Sequence, residues 1–82
     1  DIGIILNDLN ALREIYFLEE ANHRIANQMF ISEKVKLEER LINYDEFIES
    51  KRQYENSKTQ LISVKYEYFF KMKIADFMLK DD

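Results

Sequence analysis

An all-α fold, an antiparallel two-helix hairpin with coiled-coil-like packing, follows from three features of this 82-residue chain. It has one Gly and no Pro, so almost nothing in it favours tight turns or breaks a helix. Its apolar side chains recur at alternating steps of three and four across each half, the spacing of a helical seam. A single helix-start signal stands near the middle, at Asn43.

The first helix is expected over about residues 4–40. Ile2, Ile5, Leu9, Leu12, Tyr16, His23, Ala26, Phe30 and Leu37 form one stripe, interrupted only by Glu19 and Glu33. A second stripe, a quarter-turn or more around the helix, carries Ile4, Ala11, Ile15, Leu18, Ile25 and Met29. The break falls at about 40–43, although no Gly or Asn stands where a helix C-terminus is usually capped. Asn43 can then serve as N-cap, with Glu46 reaching back to the Asn43 N–H and Ile42 packing on Phe47 as a hydrophobic staple. Asp45 and Glu46 also suit the positive end of the helix dipole.

The second helix is expected over about residues 44–80. Steps of seven from Phe47 give Tyr54, Leu61, Tyr68 and Ala75, and Ser50, Ser57, Val64, Lys71 and Met78 follow three residues after each. Another face carries Ile48, Ile62, Tyr66, Phe69, Phe70 and Phe77. Matched helices, each about 55 Å long at 1.5 Å per residue, and a short connection predict an antiparallel pair. One seam cannot cover two apolar faces on each helix, so lateral partners are expected, in a helical barrel or larger bundle.

Composition removes several classes of function. Twelve basic against sixteen acidic side chains give a net charge of -4, the wrong sign for a partner of nucleic acid. The apolar runs are short, Ile4-Ile5-Leu6 and Phe69-Phe70 among them, far below the roughly 20 residues of a membrane span. The start, Asp1-Ile2-Gly3-Ile4, has neither the basic region nor the cleavage site of a signal peptide. There is no Cys, no Gly-rich phosphate cradle, and no Ser or Asp at a diagnostic spacing from the one His. An enzyme is not expected, nor is a cofactor.

Two clusters carry possible chemistry. Glu20-Ala21-Asn22-His23 has the Glu-x-x-His spacing of carboxylate-bridged metal bundles. A second such motif is missing, so the expectation is no metal, with His23 a seam residue paired to Glu19 one turn before it. Glu38, Glu39, Asp45, Glu46 and Glu49 gather acid around the turn, as a solvated helix end or as a tip facing a partner or cations.

The turn also carries a family resemblance. Glu39-Arg40-Leu41-Ile42-Asn43-Tyr44-Asp45-Glu46-Phe47-Ile48-Glu49-Ser50, then Arg52-Gln53-Tyr54 and Gln60-Leu61-Ile62-Ser63-Val64-Lys65-Tyr66-Glu67-Tyr68, resemble the last helical hairpin of TolC-like outer membrane efflux proteins. Leu18-Glu19-Glu20-Ala21-Asn22-His23-Arg24-Ile25-Ala26 is similar to the helix leading to that turn. Arg40 stands where the family usually has Gly, and Leu37 where a Tyr is common. The resemblance implies a C-terminal fragment of a longer chain, in a trimeric periplasmic tunnel of the cell outer membrane. That conduit is passive and works with a periplasmic adaptor protein and an inner-membrane transporter. By the same resemblance Glu46 and Glu49 match acidic positions at the tunnel entrance. The alternative of a different class is a self-associating soluble hairpin acting as a protein–protein interaction module.

Overall fold

The computed structural model describes residues 1–80. Two helices, α1 (Ile2–Glu38) and α2 (Tyr44–Lys80), of 37 residues each, run antiparallel in a rod of 63 × 14 × 14 Å. The hairpin is all-α, as expected. Helix α1 begins at Ile2, two residues before the expected start, with Asp1 as its N-cap. The Asp1 carboxylate accepts the Gly3 N–H at 2.6 Å and the Asp1 carbonyl accepts the Ile5 N–H at 3.3 Å.

The turn is built from two caps placed back to back. Helix α1 stops at Glu38 because Arg40 takes the left-handed conformation, φ 62°. The Arg40 N–H then donates to the Leu37 carbonyl at 3.0 Å and the Leu41 N–H to the Lys36 carbonyl at 2.8 Å. This pair of bonds is a Schellman motif, with Arg40 at the position glycine usually fills. The carbonyls that seemed uncapped in the sequence are thereby satisfied, at the steric cost an L side chain meets in this region. Helix α2 opens as expected: the Asn43 carboxamide oxygen accepts the Glu46 N–H at 2.9 Å, and the Asn43 carbonyl takes the Phe47 N–H at 3.3 Å. Only half of a capping box forms, since among the described residues no bond returns from the Glu46 carboxylate to the Asn43 N–H. Ile42 and Phe47 are both half-buried, as a staple requires.

The seam matches the three-four stripes residue for residue. With Ile2 and Phe47 as the first a positions, every a and d residue of both helices is buried or half-buried, joined by Asp8, Ala21, Asn27 and Ile74 beside the seam. Leu12 and Ala75 are the most buried, at 9% and 3% exposure. Near the turn the packing is aromatic. Phe30 of α1 lies between Phe47 and Tyr54 of α2, with ring centroids at 5.5 and 4.9 Å and interplanar angles of 14° and 17°. His23 packs against Tyr54 with ring centroids at 5.3 Å and planes tilted by 30°. Phe47, Phe30, Tyr54 and His23 therefore form a ladder of rings drawn alternately from the two helices. Further toward the open end Tyr16 meets Tyr68 at 6.1 Å. Each such pair adds about 0.5–1.5 kcal/mol beyond area burial.

Candidate functional site

The predicted tip residues Glu46 and Glu49 both lie in the first turns of α2, exposed, and they differ in what holds them. Glu46 is positioned by its backbone, through the Asn43 cap, and among the described residues its carboxylate has no ion-pair partner. Glu49 is tied down: Arg52 Nη2 donates to both carboxylate oxygens at 2.8 and 2.7 Å, and Gln53 Nε2 to one of them at 3.4 Å. The Arg52 hydrogen bonds hold the Glu49 carboxyl below its ordinary value of 4.5; desolvation opposes them, and the Arg52 charge and the Gln53 amide add to the lowering. The same contact raises Arg52. Of the two predicted tip acids, a cation therefore meets Glu46 unpaired and Glu49 already paired with Arg52; Glu38, Glu39 and Asp45 around the same turn are likewise outside the ion pairs among the described residues.

Arg52 is the tip residue that sequence reasoning passed over. The Glu-x-x-Arg spacing of Glu49 and Arg52 is the signal that could have found it, because side chains three apart on a helix are neighbours.

His23 does not pair with Glu19 as expected. Its Nδ1 lies 3.1 Å from Ser57 Oγ across the seam, and the Ser57 hydroxyl donates to the Tyr54 carbonyl at 2.8 Å. A hydroxyl has one proton to give, so toward His23 Ser57 accepts, and Nδ1 carries the hydrogen. The competing partner is set by the register of the hairpin: Ser57, a d residue of α2, lies across the seam within hydrogen-bond reach of the ring. One inter-helix ion pair completes the polar seam, Lys71 Nζ to Asp8 Oδ2 at 3.4 Å. Among the described residues no cluster of His, Cys, Asp or Glu is placed to hold a metal ion.

Large apolar side chains are also exposed. The second stripe foreseen on α1 is uncovered, Ile4 at 60% and Leu18 at 59% exposure, and so is that on α2, with Phe70 at 64% and Phe77 at 67%. These residues lie on the flanks of the rod, outside the seam. No helix among the described residues is long and apolar enough to cross a membrane. No protein-family model, no curated protein and no solved structure matches the chain.

Proposed function

We propose that this hairpin is a wall element of a larger helical assembly, the periplasmic tunnel of an outer-membrane efflux channel, where it serves as a passive conduit. The observation that carries this reading is the uncovered apolar stripe on each of two long helices whose shared seam is already complete. Such a stripe is stable in water only when a lateral neighbour lies against it. A rod with a neighbour at each flank is the repeating unit of a cylinder wall, and homotrimeric closure is the form the turn resemblance suggests. The left-handed backbone at Arg40 supports that resemblance, because the glycine usual there in the family is the residue suited to this conformation. In this reading Glu46 faces the tunnel mouth, the adaptor meets the turn, and the inner-membrane pump supplies the energy of export.

Reading the whole gene tests the proposal. A frame of several hundred residues with a signal peptide and a second hairpin of the same pattern supports the conduit, whereas a frame of this length excludes it. The second reading, a free-standing interaction module that dimerises through the same flanks, draws on a different observation. Among the described residues the two helices close one seam against each other with no other element.

A further inference from the structure

One flank of the rod is defined by the e positions of the two helices, which face each other in an antiparallel pair. On α2 that row reads Lys51, Lys58, Lys65, Met72, Leu79. Opposite it on α1, Lys34 lies toward the turn and Arg13 and Leu6 toward the open end. The row thus changes character along its length, cationic near the turn and apolar near the open end. At that end lies a groove of about 410 Å³, whose lining includes Leu6, Met72 and Leu79 together with Asn10, Arg13 and Asp76.

The cations of this flank have no ion-pair partner among the described residues. Among the described residues the ion pairs are Lys36–Glu33, Arg52–Glu49 and Lys71–Asp8, and none involves Arg13, Lys34, Lys51, Lys58 or Lys65. Lys65 instead rests over the Phe69 ring at 5.9 Å. The one acid in the two e rows is Glu20. Unpaired lysines at seven-residue steps, in a chain whose net charge is -4, form a ruler that a helix with acids at the same steps would fit. A second copy of this chain cannot supply it, because no face of either helix carries three Asp or Glu at successive seven-residue steps.

We propose that this flank docks an acidic amphipathic helix of a sequence other than this one, its acids on Lys51, Lys58 and Lys65 and its apolar end in the groove beside Met72 and Leu79. The strip is about 42 Å long at 1.5 Å per residue, enough for some four heptads, and its polarity sets the partner's direction. The inference rests on the reading that the flanks are packed laterally, and it names the chemistry of one neighbour.

The probe is a synthetic four-heptad peptide with Glu at one position of each heptad in one half and Leu there in the other, compared by fluorescence anisotropy with a composition-matched scramble. The expected result is binding to the intact chain about tenfold or more tighter than the scramble, weakened by added salt. The K51E/K58E/K65E variant should abolish the preference, and reversal of Lys73 on the back of α2 should leave it. If the triple reversal loses its helical circular dichroism, K51Q/K58Q/K65Q serves in its place. Equal binding of peptide and scramble, or equal competition by a short single-stranded DNA, overturns the proposal, since either reports a general polyanion patch. Sedimentation of the chain alone keeps the two claims apart. A chain that self-associates but ignores the peptide refutes this inference and leaves lateral packing standing; a monomer that binds the peptide does the reverse.

Discussion

Arg40 is the residue at which the sequence and the backbone conflict most directly. It holds φ 62° so that two Schellman bonds can close α1, and a β-carbon in that region costs roughly 1–2 kcal/mol. Arg40→Gly removes the clash but loosens the unfolded chain, so the net expectation is a gain of about 1 kcal/mol, read as a rise in the urea midpoint at unchanged slope. Asn43→Ala works in the opposite sense: losing the side-chain bond to the Glu46 N–H should cost about 1 kcal/mol. At Glu49 the prediction concerns pH. Its folded-state value is depressed by Arg52, so the contact contributes above the ordinary carboxyl value of 4.5 and is lost as pH falls through the lower folded value. Carboxyl carbon NMR should follow that titration and show it return upward in Arg52→Ala. Global stability should hardly move, because both groups are exposed.

Within the helices, the aromatic ladder concentrates the packing near the turn. Phe30 contributes two stacked contacts although it is only half-buried. Phe30→Ala should therefore cost about 2–3 kcal/mol, at or just below the range for a fully buried Phe, and should fray the turn first in amide exchange. Most of the seam was legible, from Ile2 to Leu37 and from Phe47 to Met78, because its three-four repeat runs the length of each helix, although Glu19 and Glu33, which interrupt the apolar stripe, are half-buried in it too. The α2 cap was legible too, since Asn43 and Glu46 are local in sequence. The α1 cap was not: a left-handed residue is normally announced by Gly, and Arg40 gives no such sign. The His23–Ser57 link was also hidden, because its partners are 34 residues apart and meet only once the register of the hairpin is set. At the tip, the acids were visible as a cluster, but the capture of Glu49 by Arg52 depends on side-chain geometry.

For the molecule as a whole, the disposition of apolar surface decides what the rod can do alone. A shape of 63 × 14 × 14 Å has room for one seam, and Ile4, Leu18, Phe70 and Phe77 lie outside it, uncovered. Burying such residues against a neighbour gains about 25 cal/mol per Å² of apolar surface removed from water. Leu18→Lys with Ile25→Lys, which places charge on the second α1 stripe without touching the seam, should lower the association state while helical circular dichroism persists. The most direct measurement is sedimentation equilibrium of the intact chain at micromolar concentration. A dimer or larger species, dissociated by those two lysines, is the expected result; a well-folded monomer with both flanks in solvent would contradict the requirement for lateral neighbours.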